Sequence, residues 1–290
     1  MSKIFVINNL GEKEPFSEKK VFRSALRAGA SKELAQEIVK EIKKEIYNEI
    51  PTSEIYHKIR ELLFQKEIKV GLRYGLKEAI RRLGPAGFYF EKYIGEIFKK
   101  LGFEVKLNQI VKGKYVNNYE IDFLATKDQQ LVLAECKFHQ LKNARVDLKV
   151  MLIVYSRFID IKKGGYFKKY KIRPMVITNT KFTSQAIKFA EGYKINLLGW
   201  HYPYYRGLEY LIESEKMYPV TILRSADNFV LSCLCKKNIM LASDLLEIRK
   251  EDLKRLGLKE EIISLLKEEA SLLMNHKQLI KKATAGRNNR

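Results

Sequence analysis

The sequence predicts an α/β protein: a helical amino-terminal domain, a central α/β domain with a mixed sheet, and a small helical module toward the carboxyl end. Three observations lead there. Up to about residue 84 the apolar residues recur at helical spacing, as they do along a helix with one buried face. From Phe103 to Leu198, short apolar runs alternate with amphipathic stretches, the pattern of strands and helices sharing one core. After residue 238 the helical period returns. A chain of 290 residues suits two or three modest domains, and 46% apolar content is enough to fill their cores.

In order along residues 1–84, the run Ile4-Phe5-Val6-Ile7 precedes a loop at Asn8 to Glu14. Ser17 has the character of an N-cap, ahead of Val21, Phe22, Ala25 and Leu26 at helical spacing. A second helix starts near Ser31 and carries Leu34, Ile38, Ile42 and Ile46. Pro51-Thr52-Ser53-Glu54 opens a third, with Ile55, Ile59, Leu62 and Leu63 on one face, and a fourth runs through Gly71 to Leu83. Gly84-Pro85-Ala86-Gly87 breaks the pattern and marks a domain boundary.

Residues 85–200 form the central domain. Phe88 to Leu101 reads as an amphipathic helix stopped by Gly102. Extended structure begins at Phe103. Tyr119 to Ala125 and Leu131 to Phe138 form a hairpin around the polar stretch Lys127 to Gln130. A helix through Val146 to Phe158, a buried strand at Pro174 to Thr178, a helix from Thr183 to Gly192 and a strand at Ile195 to Leu198 complete it.

Residues 201–237 connect. Within them His201-Tyr202-Pro203-Tyr204-Tyr205-Arg206 joins aromatics to cations, which suits either base stacking with phosphate contact or a packed domain junction; the junction is preferred. Residues 238–276 form a helical unit running from Ile239 to Leu246, through Leu253 and Leu256-Gly257-Leu258, to Ile262–Leu273. The basic stretch 277–290 is expected to be disordered.

The charge balance, 55 Lys+Arg against 34 Asp+Glu for a net +21, attracts polyanions, mainly by release of counterions from phosphate. The competing explanation is a lysine-rich solubilising surface. No run approaches the roughly 20 apolar residues of a membrane span, and the first residues lack the apolar core of a signal peptide, so a cytoplasmic protein without membrane partners is expected. Three cysteines, Cys136, Cys233 and Cys235, are too few for a disulfide framework, and Cys233-Leu234-Cys235 reads as core.

The chemistry concentrates in Glu120-Ile121-Asp122 and Glu135-Cys136-Lys137. Residues two apart on a strand face the same side, so Glu135 and Lys137 project together while Cys136 points away. In a hairpin turning near Asp128 to Gln130, Asp122 falls opposite or diagonal to that pair, within about 5–8 Å. Charges gathered at the edge of a core are costly unless paired, and a metal would pair them. A hard cation such as Mg²⁺ needs oxygen ligands, and one or two carboxylates suffice when phosphate and water complete the shell. Glu120 and His139 share these faces. Glu120 is a candidate ligand, and His139 is either an acid, base or phosphate contact or a solvated histidine at a strand end.

These residues match the PD-(D/E)xK nuclease pattern, with Asp122 and Glu135 as the acids and Lys137 as the lysine. The flanks extend the match. Phe90-Glu91, Ile94-Gly95, Ile97-Phe98 and Gly102-Phe103 resemble the opening helix of Mrr-type restriction endonuclease domains. Thr178 to Thr183, Ala186 to Ala190 and Ile195 to Leu198 resemble the end of the same domain, although Asn117 to Glu120 replaces the usual glycine-rich approach. The resemblance implies Mg²⁺ or Mn²⁺, held by Asp122, Glu135, the backbone carbonyl of Cys136 and the helical acid Glu91. It also implies catalytic roles for Asp122, Glu135, Lys137 and Glu91. DNA is the expected substrate, with RNA not excluded.

Residues 1–84 resemble the ATP-cone, a small regulatory nucleotide-binding domain, through Phe16, Lys20-Val21, Ala25-Leu26, Thr52-x-x-Ile55 and Arg73-Tyr74. The resemblance implies ATP or dATP as an effector, with Lys20 as the phosphate contact, and it leaves homo-oligomers open. Asn8-Asn9-Leu10-Gly11 departs from the family's basic turn. The unit at 238–276 looks like a helix-hairpin-helix module, with a plain packing or dimerisation element as the alternative. A metal-dependent endodeoxyribonuclease is therefore expected. The rival readings are a non-catalytic DNA-binding module and a nucleotide-responsive regulator on a nuclease-like scaffold.

Overall fold

The computed structural model describes residues 4–84, 88–141 and 143–275. The expected break at Pro85–Gly87, His276 and the basic stretch 277–290 lie outside the described residues.

Strand β1 (Phe5–Ile7) pairs antiparallel with β2 (Lys13–Pro15). The loop expected over Asn8 to Glu14 is shorter, because the Asn8 side chain accepts the N–H groups of Leu10 (2.8 Å) and Glu12 (3.0 Å) and turns the chain early. Lys13 and Glu14 are thereby free to join the strand. Helices α1 (Glu18–Arg27) and α2 (Lys32–Glu45) start where expected: Ser17 accepts the Lys20 N–H at 3.3 Å and Ser31 that of Leu34 at 3.0 Å. Strand β3 (Ile50–Pro51) runs parallel to β1 and leads directly into α3 (Thr52–Lys66). The single helix expected over 71–83 is two, α4 (Ile68–Tyr74) and α5 (Leu76–Arg81). Between them the Gly75 N–H donates to the Leu72 carbonyl at 3.0 Å, a tighter turn than the α-helical ladder. Ala25, Ile38, Ile42 and Leu63 are fully buried in the core of this part.

The central domain opens with α6 (Phe88–Lys100), followed by β4 (Glu104–Val111), β5 (Tyr119–Lys127) and β6 (Gln130–Lys137). Next come β7 (Arg145–Val146), α7 (Leu148–Gly164), β8 (Lys171–Thr178), β9 (Lys181–Phe182), α8 (Ser184–Tyr193) and β10 (Asn196–Leu198). The main sheet has the order β10-β8-β6-β5-β4, with β6, β8 and β10 parallel and β4, β5 and β6 antiparallel neighbours. It is the mixed sheet the sequence predicts. Strand β6 lies at its centre, so Leu131 to Cys136 are all buried rather than alternating. On one face α6 packs, with Phe98 edge-on to Phe123 at 5.1 Å. On the other, Phe158 and Ile161 of α7 meet Leu131 and Leu133.

The segment 201–237 is more structured than a connector, with α9 (Leu208–Glu215) and α10 (Asn228–Lys236). The Tyr93 hydroxyl donates to the Met217 carbonyl at 2.7 Å, tying this segment to α6. Cys235 is buried, and burial pushes its thiol up to about 11, as suits a core cysteine. The helix expected from Ile239 begins only at α11 (Asp244–Glu247). Before it, Leu241 bridges to Pro219 and the Met240 carbonyl accepts the Val220 N–H at 2.9 Å, which commits that backbone to extended pairing. Helices α12 (Lys250–Arg255) and α13 (Glu260–Met274) form a hairpin around Gly257, whose φ of +83° suits glycine.

The described residues group into two compact units: those of 4–79, 221–231 and 242–275 supply one, and those between 80 and 220 with 232–241 the other. Among the described residues no helix is long and apolar enough to cross a membrane.

Candidate active site

The site lies where β5 and β6 part company. Their ladder runs from Lys127↔Gln130 to Phe123↔Ala134 and stops there. On the other side of β5, the ladder to β4 skips Asn108 and Asp122, and Asn108 has a φ of +50°. Beyond Phe123 the Asp122 carboxylate replaces the missing rung, accepting the Cys136 N–H at 2.5 Å. A strand residue that donates toward a neighbour turns its carbonyl the same way. The Cys136 carbonyl therefore faces the gap beside Asp122.

Glu135 and Lys137 share one face of β6, as their spacing requires. Lys137 Nζ stands 2.6 Å from Glu135 Oε1, and Arg157 of α7 reaches Glu135 Oε2 at 3.2 Å. Glu91 stands in the first turn of α6, on the opposite side of the sheet end. Burial raises the Glu91 carboxyl to about 7, aided by the charges of Asp122 and Glu135 and opposed by Lys137. Burial likewise raises Asp122 to about 6; the Cys136 N–H and the cations Lys137 and Arg157 oppose the rise, while Glu135 adds to it. Three carboxylates thus share one half-buried space, and two of them are held above their ordinary range by the loss of water and by each other.

A divalent cation fits this set chemically. It is all-oxygen, it holds like charges that a cation would neutralise, and a backbone carbonyl faces it. As placed, no three His, Cys, Asp or Glu side chains among the described residues form a closed cage. Glu135 is turned toward Lys137 and Arg157, so it would have to rotate to join Asp122.

Other candidates are placed differently. Glu120 stays exposed, opposite Ile110 in the β4–β5 ladder. On the same helix as Glu91, Glu96 pairs with Lys99 at 2.7 Å. His139 is held by Asn179, whose side chain accepts its N–H at 2.9 Å and donates to its carbonyl at 2.8 Å. Its ring Nδ1 lies 3.5 Å from the Thr180 hydroxyl. Tyr204 and Tyr205 are exposed at 74% and 61%, where the preferred junction reading expected packing. Arg157 was not anticipated. Nothing in the sequence ties it to Glu135, because the contact depends on how α7 crosses the sheet.

Three family profiles cover most of the chain: ATP cone domain over 4–78, restriction endonuclease of the Mrr catalytic type over 85–200, and the carboxy-terminal AF1548-like domain over 218–274. An uncharacterized protein of Archaeoglobus fulgidus is 38% identical over 165 residues, which cover 57% of this chain and 90% of that protein. A crystal structure of AF1548, a protein of unknown function, shares 33% identity at a TM-score of 0.56, covering 65% of this chain and 99% of that one. This chain belongs to the AF1548-like family. It carries a restriction endonuclease domain at its centre and an ATP cone domain ahead of it.

Within the ATP cone of this AF1548-like protein lies a cavity of about 880 Å³. Phe16, Lys20, Val21, Leu26, Thr52, Ile55 and Tyr74, all among the residues that resemble the ATP-cone pattern, line it. Tyr56 stacks on Tyr74 at 5.2 Å, and the Tyr74 hydroxyl lies 3.2 Å from that of Ser24. Lys20 is paired with Glu14 at 2.9 Å. Arg23 and Arg27 also line the cavity, and with Lys20 they make a basic row at three- and four-residue spacing on α1. That row is visible in the sequence, but only the cavity shows which way it faces.

Proposed function

We propose that the protein is a divalent-metal-dependent endonuclease that hydrolyses phosphodiester bonds in DNA, and that ATP or dATP bound in the ATP cone adjusts this activity. The observation that carries the reading is the gathering of Asp122, Glu135, Lys137 and Glu91 at the open end of the β5–β6 ladder, inside a domain of restriction endonuclease type.

Asp122, Glu135, the Cys136 carbonyl and Glu91 would hold Mg²⁺ or Mn²⁺. Such an ion, when bound, polarises the phosphate and makes its water a better nucleophile. The chain's own groups have distinct tasks. The Cys136 N–H fixes the rotamer of Asp122, so the oxygen left free is aimed at the gap. Lys137, when Glu135 turns away from it, presents its ammonium to the attacking water and to the charge that grows on the phosphate. Arg157 holds Glu135 from the α7 side and compensates its charge until substrate arrives. Glu91, carrying a proton near neutrality, can give it up as positive charge enters the site.

The test is cleavage of single-stranded, duplex and branched DNA, and of RNA, with Mg²⁺, Mn²⁺ or EDTA, with and without ATP and dATP. Cleavage that needs the metal and is lost in Asp122→Ala supports the reading. A wild-type protein that cuts none of these substrates with either metal refutes it.

A further inference from the structure

Beside the site, the chain builds a second surface that the proposed chemistry does not use. The loop between β4 and β5 (112–118) is anchored to α7 by Asp160. The Asp160 carboxylate accepts the N–H groups of Tyr115 (3.2 Å) and Val116 (3.1 Å), and its carbonyl accepts that of Lys114 (3.0 Å). Burial pushes the Asp160 carboxyl up, but hydrogen bonds from Val116, Tyr115, Tyr119 and Lys114 outweigh it and hold it low. Gly113 is required by the close approach, since a Cβ there would run into Asp160 Oδ2. The loop is therefore pre-organised, and its tip turns outward: Tyr115 is 73% exposed and Val116 44%. Tyr166, just past the end of α7, is 57% exposed, and Lys112 Nζ lies 5.7 Å from its ring centre. Lys114 Nζ lies 5.0 Å from the Tyr115 ring.

The charge here is of one sign. Residues 111–118 and 161–173 contain no Asp or Glu. Lys112, Lys114, Lys162, Lys163, Lys168 and Lys169 are exposed, and none has a carboxylate partner among the described residues. In the amino-terminal domain several exposed lysines sit on carboxylates, as in Lys13–Glu49, Lys43–Glu18 and Lys66–Glu37. A merely solubilising lysine surface mixes both signs as that domain does. An unpaired cation cluster around two exposed rings has the composition of a platform on which bases stack while lysines track the phosphates. It also adjoins the cleavage site, because Asp160 follows Arg157 by less than one turn of α7 and Tyr119 precedes Asp122 by three residues of β5. Rings can stack only on bases that are not already stacked in a duplex.

Resting on the nuclease reading above, we propose that the 112–118 loop and the start of the α7–β8 connection bind an unpaired DNA strand, so that the substrate is single-stranded DNA or a duplex with a single-stranded arm next to the scissile phosphate.

The experiment is fluorescence anisotropy of the full chain in EDTA, with a labelled single strand, a forked duplex and a blunt duplex. Tyr115→Ala combined with Tyr166→Ala is expected to weaken single-strand and fork binding at least about tenfold while changing blunt-duplex binding about twofold or less. Tyr115→Phe with Tyr166→Phe should bind as the wild type does, because the rings remain. Lys112→Gln with Lys114→Gln should flatten the dependence of affinity on salt. Unfolding temperatures of the variants show whether the fold survives. Equal losses on single-stranded and blunt DNA, or single-strand binding unchanged by loss of both rings, overturn the proposal and leave the surface to a protein partner. Binding in EDTA involves no cleavage, so a protein that binds single strands through these rings yet cuts nothing would refute the nuclease reading alone. A protein that cuts DNA but ignores the rings would refute only this one.

Discussion

The ATP cone cavity and the nuclease-domain site hold charge in opposite ways. In the cavity the charges are mainly cations on one exposed helix face, and a salt bridge, Lys20–Glu14, sits at a rim where Lys20 is 68% exposed. At the β5–β6 end the charges are carboxylates drawn into a half-buried space, with Glu91 and Asp122 raised above their usual range by that burial. The first arrangement costs the fold little and would suit an anion. The second destabilises the fold locally and would be relieved by a cation. A site that strains its own fold has to be held by neighbours, which is why Asp122 has the Cys136 N–H and Glu135 has Lys137 and Arg157.

The largest effects should come at the strained site. Asp122→Ala and Lys137→Ala are each expected to lower metal-dependent cleavage by about 10²–10³-fold or more, read as initial rates under saturating Mg²⁺. A milder substitution at Asp122 should reveal the strain. Asp122→Asn keeps an acceptor for Cys136 but removes one of three clustered charges, so in EDTA its unfolding temperature should rise by about 2–4 °C while its cleavage is lost. A fall in that temperature would break the comparison, since Asp122 would then be stabilising.

At the cavity, Arg23→Ala with Arg27→Ala should weaken ATP or dATP binding by about 10–100-fold by calorimetry, with the metal-dependent cleavage measured without nucleotide unchanged. Unaltered binding would move the nucleotide elsewhere. Gly113→Ala tests the anchored loop; the added methyl should cost about 1–3 kcal/mol in urea unfolding, because Asp160 and the backbone it holds must move. The smallest effect belongs to Lys20→Ala. An exposed pair such as Lys20–Glu14 contributes roughly 0–1 kcal/mol, so stability should hardly change. Any loss of nucleotide affinity would then belong to the phosphate contact itself.

Much of this was legible before any coordinates. Ser17, Ser31 and Thr183 announce their helices, because a side-chain oxygen at the N-cap acts over three residues of chain. The β5–β6 hairpin follows from alternation around Asp128 and Gln129. With it comes the proximity of Asp122 to Glu135 and Lys137, since hairpin register converts sequence distance into spatial distance. Less was legible where the decisive partner is remote. The Asx turn at Asn8 shortened a loop, and Pro219 and Val220 claimed the backbone of Met240 and Leu241 that helical spacing had assigned to a helix.

The sequence by itself determined the capped helices from Ser17, Ser31 and Thr183, the hairpin, the mixed sheet and the pairing of Glu135 with Lys137 on one strand face. Each depends on periodicity, caps or turns spanning a few residues. Only the tertiary structure decided that Arg157 would guard Glu135, that Glu91 would share a space with Asp122, that Arg23 and Arg27 would face a cavity, and that Asp160 would lock an unpaired cluster of lysines and tyrosines beside the site. These depend on how helices cross sheets and one another, which is set by the packing of whole faces rather than by any local spacing.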